Sequence, residues 1–569
     1  MNNFTKRCVA AFASLTMAGT LCAAGAVTVS SIAWASKPVV PQDTSKDNTG
    51  DNPSQPVESG KAPWELGDEA STKTGYITIY KWEDEVDSTS KKQLKKNPVK
   101  GAKFTVKKAT NIDLTKYSDW VTIAQKINDF NAGKEKPDGI TFEDNGTEKD
   151  TDGTATGTKA GVAKFDSLKI GLYQVKETTV PKGYSASESK PFYITIPRIE
   201  KGTDGSVIYN YAPFADPKNK NLKKCVKKTA DTSETIGAGD KIKYTISAEL
   251  DKMKEAGAAD LTADDFKGYS VVDLAPAKAF TAYTADVVKK VTLGTGEKPV
   301  DTDTKLEAAD YTVTPDAQAT GDEHKITISF TPAGKGKLAA EANKPANVDK
   351  PVKVFVTLEF TLTSTSSDLG TSVTNKGGLI PSHDGDTPDV VTGEDNEKVE
   401  FSKFKITKVS ATEPKTKLPN AKFKLFASKD EANKCSKAIS ENKTGDDLTN
   451  ACSAASKGFD EKTTDQNGET TEYSLVYKKD RKLYLVETVA PTGYIRNPDA
   501  VEFTVEQTAT NVTFQNLPNK DNGFWFNLPK TGAAGVILFA LAGVCFVGAG
   551  FVVYIHRRKK EEEQAKLRA

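Results

Sequence analysis

Hydrophobic and polar positions alternate in short runs over most of this chain, and the runs are separated by Gly, Pro and Asn. Tyr76-Ile77-Thr78-Ile79-Tyr80-Lys81-Trp82 is the first, and residues 102–106, 171–178 and 192–197 follow in the same style. Period-two alternation bounded by turn residues predicts β-strands, and many such strands in series predict β-sandwiches. One exception lies between Ile112 and Phe130. There Trp120, Ile123, Ile127 and Phe130 recur at helical spacing, so a helix is inserted between strands. A second block contains strands at 241–246, 269–273 and 352–360. The last of these places Val352, Val354, Val356, Leu358 and Phe360 on one face. A third block repeats the order of the first: 404–409, 421–426, 483–489, 501–505 and 512–516.

The two ends of the chain break this pattern. Lys6 and Arg7, an apolar stretch from Val9 to Ile32 and then Ala33-Trp34-Ala35 form a secretory leader with a small-x-small cleavage site. Residues 36–70 are rich in Pro, Ser, Asp and Lys and predict a flexible segment. At the other end, Leu528-Pro529-Lys530-Thr531-Gly532 precedes an apolar run over residues 535–555 and the basic cluster His556-Arg557-Arg558-Lys559-Lys560. That run is long enough for one bilayer crossing, and the basic cluster keeps its far end cytoplasmic. The expected order is therefore: leader 1–35, flexible segment 36–70, β-sandwich domains at 71–217, 218–398 and 399–520, and an anchoring segment at 521–569. The fold class is all-β, with β-sandwiches in tandem and one C-terminal transmembrane helix.

Composition narrows the function. The 569 residues carry 78 Lys+Arg against 77 Asp+Glu, a net charge of +1, which argues against nucleic acid as a partner. The three histidines, His324, His383 and His556, cannot build a metal cluster with the few cysteines, so neither metal nor cofactor is expected. No carboxylate pair or nucleophile–His constellation suggests a hydrolase. Of six cysteines, Cys8 and Cys22 fall in the leader and Cys545 in the apolar run. Cys435 and Cys452 flank one loop and are expected to pair outside the cell, which leaves Cys225 odd and buried in a strand.

The pentapeptide, apolar run and basic tail, in that order, resemble the cell-wall sorting signal of Gram-positive surface proteins. The resemblance implies that a transpeptidase, sortase, cuts between Thr531 and Gly532 and passes the Thr531 carbonyl to an amine. The repeated Leu-Tyr-x-Val-(x)-Glu-Thr-x-x-Pro-x-Gly-Tyr, at 172–184 and 483–494, resembles the E-box of sortase-assembled major pilins and of collagen-adhesin B-type domains. That family implies immunoglobulin-like (collagen-adhesin B-type) β-sandwiches in tandem and a structural subunit with no enzymatic turnover. Its partners would be sortase, neighbouring subunits, peptidoglycan and host surface ligands. The alternatives are a monomeric wall-anchored adhesin and an accessory tip or base pilin.

The same resemblance implies self-made Lys–Asn isopeptide bonds. Glu487 shares a strand face with Leu483 and Leu485, so it points into the core, where a carboxyl must be protonated or paired. Alignment with the B-type family places Lys405 as nucleophile and Asn516 as acceptor beside this Glu487 helper. Lys408, three positions on from Lys405, faces the opposite side of its strand. In the middle domain Asp273 fits the helper and Asn375 the acceptor. The lysine is Lys224, which shares a face with Val226, with Lys227 as the alternative. In the first domain Thr78 stands where Lys405 would and Tyr211 near where Asn516 would, so no bond is expected and Glu177 is read as structural. Finally, Pro217-Lys218-Asn219, with Tyr209 upstream, resembles a degenerate pilin motif, although Pro213, Ala215 and Asp216 depart from it. The resemblance makes Lys218 the amine that attacks a neighbour's Thr531.

Overall fold

The computed structural model describes residues 58–85, 94–131, 138–153, 159–185, 191–201, 205–252, 260–347, 350–519, 547 and 553–561. The expected leader, the sorting pentapeptide and all but a few residues of the expected membrane span lie outside these. Among the described residues no helix is long and apolar enough to cross a membrane. The chain forms two compact units. One lies within residues 1–232, 241–361 and 373–399, and the other within 233–240, 362–372 and 400–569.

The first unit holds two domains. In the first, β1 (Thr74–Tyr80) continues into β2 (Trp82–Glu83). β3 (Lys103–Lys108) follows, then helix α1 (Tyr117–Asn131), then β4 (Thr147–Asp150), β5 (Val162–Lys169), β6 (Gly171–Thr179) and β7 (Phe192–Ile196). Two short strands, β8 (Phe214–Ala215) and β9 (Lys218–Asn219), close the domain. One sheet has the order β8–β1–β5 and the other β4–β3–β6–β7. Ile77, Ile79, Phe104, Phe165, Leu172 and Ile194 fill the space between them, and α1 adds the expected Trp120, Ile123, Ile127 and Phe130. Full burial of each such side chain contributes about 1.5–3 kcal/mol. The closing strands run parallel to the opening ones, Phe214 opposite Thr78 and Lys218 opposite Trp82. Lys218 therefore completes the first domain instead of opening the second.

The middle domain packs a six-stranded sheet on a five-stranded one. β10 (Val226–Asp231), β11 (Lys241–Glu249) and β14 (Lys353–Thr361) belong to the first. β12 (Ser270–Pro276), β13 (Glu323–Phe330) and β15 (Lys376–Ile380) belong to the second. The predicted apolar face of β14 is buried from Val352 to Phe360.

The second unit repeats the plan of the first domain. Its strands are β16 (Lys398–Ser410), β17 (Lys422–Phe426), β18 (Tyr473–Val476), β19 (Lys482–Val489), β20 (Val501–Thr504) and β21 (Ala509–Asn516). Helices α2 (Lys429–Ser440) and α3 (Gly445–Ala451) sit between β17 and β18. β21 lies parallel to β16. Cys435 and Cys452 are joined in a disulfide and pack with Phe426, Ala432, Ala455 and Val486. Cys225 is a buried free thiol held in a 3-10 turn, Leu222–Cys225, and not in a strand. Burial pushes its pKa up to about 12, so it is an inert thiol at neutral pH.

Candidate functional site

Three buried constellations of lysine, carboxyl and asparagine occupy corresponding places in the three domains. They begin with strand alternation. In β16, Phe404, Ile406 and Lys408 point inward, while Lys405 and Thr407 point toward solvent. Lys405 is therefore not in the core. Its side chain is 43% exposed and lies 3.9 Å from Glu469. Lys408 takes the buried place instead. Its Nζ is 3.0 Å from Glu487 Oε1, both side chains are fully buried, and it also bonds Asn516 Oδ1. Asn516 Nδ2 donates to both Glu487 oxygens at 2.8 Å. A further bond, 2.8 Å from Asn497 N to Glu487 Oε2, fixes the carboxyl. The Phe514 ring lies 4.2 Å from the amine and walls it off from water. Burial lowers the Lys408 pKa to about 8.

The first domain contains the same arrangement, contrary to the expectation drawn from Thr78 and Tyr211. Continuing the inward face of Ile77 and Ile79 leads to Lys81, which is buried. Lys81 Nζ lies 3.0 Å from Glu177 Oε2 and 2.7 Å from Asn219 Oδ1, and Asn219 Nδ2 donates to Glu177 Oε1 at 2.9 Å. Registers agree between the two copies. Asn219 pairs with Glu83, two residues after Lys81, and Asn516 pairs with Ser410, two residues after Lys408. Each glutamate stands opposite a phenylalanine just past a register shift, Phe104 with Glu177 and Phe423 with Glu487. Glu177 is thus the middle member of a complete set.

In the middle domain the buried lysine is Lys228, not Lys224 or Lys227. The 3-10 turn over Leu222–Cys225 ends the alternation that would have carried Lys224 inward. Lys224 instead pairs with Glu83 at 2.5 Å and is 47% exposed, and Lys227 pairs with Asp395 at 2.6 Å and is 49% exposed. Lys228, on the same face as Val226, bonds the buried Asp273. Asn375 Nδ2 lies 3.4 Å from Asp273 Oδ1, and its own Oδ1 is buried without a partner among the described residues. Gly377 makes room: a Cβ there would meet the Lys228 Cβ at 3.3 Å. Burial lowers the Lys228 pKa to about 8 and raises that of Asp273.

In the middle domain burial favours a neutral Lys228 amine beside a neutral Asp273 carboxylic acid, and in the third domain a neutral Lys408 amine, because burying the charged forms is costly. A neutral amine in contact with a carboxamide is a nucleophile facing an electrophile. In all three sets the carboxyl touches the Asn nitrogen, the atom that would depart.

The depressed Lys228 pKa has a measurable consequence. In Asn375→Ala the lysine stays free. Between about pH 8 and its unfolded value of about 10.4, the unfolded chain holds a proton that the native one has lost. Stability of that variant should rise with pH across this window, as chemical denaturation at several pH values would show. A flat profile would contradict the buried, neutral lysine.

Lys218, on β9, is half-exposed at the outer edge of the first domain, next to Asn219, which points inward. Leu528, Pro529, Lys530, Thr531 and Gly532 lie outside the described residues. Among those residues no group of His, Cys, Asp and Glu is arranged to hold a metal ion.

Comparison with known proteins agrees with the fold and with the anchor at the C-terminal end. Residues 85–208 and 402–518 match the SpaA prealbumin-like fold domain, and residues 526–562 match the LPXTG cell wall anchor motif. Fimbrial subunit type 1 of Actinomyces viscosus is 29% identical over 504 residues, covering 81% of this chain and 85% of that one. Fimbrial subunit type 2 of Actinomyces naeslundii is 24% identical, covering 82% and 86%. The solved structure of the fimbrial protein FimP from Actinomyces oris superposes with a TM-score of 0.50 at 24% identity, covering 79% of this chain and 98% of that one. Prealbumin-like domains followed by an LPXTG anchor define a secreted protein of the bacterial cell wall. Within that class, this chain is similar to the fimbrial subunits of Gram-positive bacteria.

Proposed function

We propose that this chain is the structural backbone subunit of a covalently polymerised pilus. Sortase would cleave between Thr531 and Gly532 and transfer the Thr531 carbonyl to Lys218 of the next subunit, and the last subunit to peptidoglycan. The observation that carries the reading is that one chain holds both an LPXTG anchor and a half-exposed lysine on the closing strand of its first domain. Any host ligand would be met by the assembled fibre.

Each domain would also tie itself internally. The neutral amine of Lys81, Lys228 or Lys408 attacks the side-chain carbonyl carbon of Asn219, Asn375 or Asn516. The amine proton passes through Glu177, Asp273 or Glu487 to the departing nitrogen, which leaves as ammonia. One amide forms, one carboxamide C–N bond breaks, and the carboxyl is regenerated. The reaction happens once per domain, so it is maturation and not turnover.

Thr531→Ala tests the anchoring. This variant should remain in the membrane fraction with its C-terminal segment attached, as a blot against residues 556–569 would report. Recovery from the wall fraction without that segment would refute sortase processing at this site.

A further inference from the structure

The helper carboxyl of the third domain is steadied from a loop that lies outside the lysine, carboxyl and asparagine set. Between β19 and β20, Asn497 N donates to Glu487 Oε2 at 2.8 Å. A glutamate side chain turns about three bonds, and this N–H fixes the last of them. The other oxygen, Oε1, then meets both ends of the proton path at once: Lys408 Nζ at 3.0 Å and Asn516 Nδ2 at 2.8 Å. Turning the carboxyl would part these two contacts. Asp273 has no such support, since among the described residues its carboxyl bonds only Lys228 and Asn375.

The loop owes its place to α2. Arg496 Nη1 donates to Glu487 O at 3.0 Å and to Ser436 Oγ at 3.1 Å, and Nη2 donates to Ser436 O at 3.2 Å. The buried Ser436 hydroxyl in turn donates to Pro498 O at 2.5 Å. The residues on both sides of Asn497 are therefore clamped to one serine of α2. That helix is seated on β19 itself, because Ala432 and Cys435 pack with Val486, the residue before Glu487. A guanidinium suits this place: its planar fork of donors reaches a strand carbonyl and a helix turn together.

We infer that Arg496, clamped by Ser436, is a positioning residue for bond formation in the third domain: it holds the Asn497 N–H against Glu487 and so keeps that carboxyl aimed at Lys408 and Asn516. The inference rests on the internal chemistry proposed above. Arg496 touches Glu487 only at its backbone carbonyl, so it acts through the loop and not on the reacting atoms. The physical reason is alignment. A misplacement of about 1 Å costs a reaction up to about a hundredfold in rate. With Lys408 and Asn516 still in contact with the carboxyl, the loss should be nearer tenfold.

The test follows the newly made full chain over time. At each point a protease removes unfolded molecules, and mass spectrometry of the survivors reads the Lys408–Asn516 and Lys228–Asn375 bonds separately. Arg496→Ala should form the Lys408–Asn516 bond about tenfold more slowly, with the Lys228–Asn375 bond at its wild-type rate. Protected molecules lacking the third-domain bond should appear first and gain it on standing. Ser436→Ala, which deletes a single oxygen, should slow the same bond severalfold. A purely structural clamp would lose molecules to the protease without slowing the survivors. Protected Arg496→Ala molecules that gain the bond as fast as wild type would therefore overturn the inference. So would equal slowing of the Lys228–Asn375 bond, the mark of a general folding defect. If Arg496→Ala leaves no protected third domain, the same readings on Ser436→Ala decide. A wild type that never forms the Lys408–Asn516 bond would refute the internal chemistry itself, and this inference with it.

Discussion

Intact mass of the secreted chain should fall short of the sequence mass by three molecules of ammonia, one per domain. Replacing a helper restores one ammonia at a time: Glu177→Ala, Asp273→Ala and Glu487→Ala should each do so alone. Replacing the buried lysines Lys81, Lys228 or Lys408 should do the same. Lys405→Ala, Lys224→Ala and Lys227→Ala should leave the deficit unchanged, because these side chains point to solvent. The stability effect should be large. The Lys408–Asn516 tie would span 108 positions and the Lys81–Asn219 tie 138. By the loop-closure argument used for disulfides, constraining a loop of about 100 residues is worth about 4–5 kcal/mol. Removing the tie also leaves a buried lysine and carboxyl facing each other, which adds a desolvation cost. Each helper variant should therefore melt well below wild type and lose protease resistance in its own domain. A wild type of unmodified mass would refute the internal chemistry altogether.

Loss of the polymer is the second large effect. Lys218→Ala should abolish the high-mass ladder while single subunits still reach the wall through Thr531. Lys220→Ala and Lys223→Ala should polymerise normally. Lys220 is held by Glu249 at 2.8 Å, and Lys223, although exposed, lies outside Pro217-Lys218-Asn219 and beyond the closing strand of the first domain. The reason for so sharp a difference is topological. One donor at the C-terminus and one acceptor far from it make each joint head-to-tail, and such joints propagate an open filament. Without the single acceptor there is nothing to extend. A persistent ladder in Lys218→Ala would transfer the acceptor role to another lysine. A wild type that forms no ladder beside its sortases would favour a monomeric wall-anchored adhesin.

Much of this was legible in the chain, and the failures have separate physical causes. The strands, the inserted helix and the repeated E-box follow from alternation and spacing, and Glu487, Asp273, Asn375 and Asn516 all lie in buried sets. The lysines were displaced each time. Alternation from Phe404 and Ile406 leads to Lys408, but aligning the strand by resemblance moved the choice to Lys405. That shift then placed Thr78 in the matching position of the first domain and hid Lys81, although Ile77 and Ile79 lead straight to it. Asn219 was hidden too, because the strand that carries it is only two residues long. In the middle domain Val226 is flanked by Lys224 and Lys228 on the same nominal face. Only the 3-10 turn before it, capped by Asn221, removes Lys224.

Parallel pairing of the first and last strands decides how such a chain would bear tension. A pull arriving at Lys218 enters the backbone on the closing strand of the first domain, so the residues before it are bypassed by the load. If the proposed amides form, the pull would cross from Lys228 to Asn375, and from Lys408 to Asn516, before leaving toward Thr531. The strands enclosed between each pair would then carry no load, and tugging would not lengthen the fibre by unravelling them. The thread would behave as an inextensible cord, with give only in the short segments between its covalent ties.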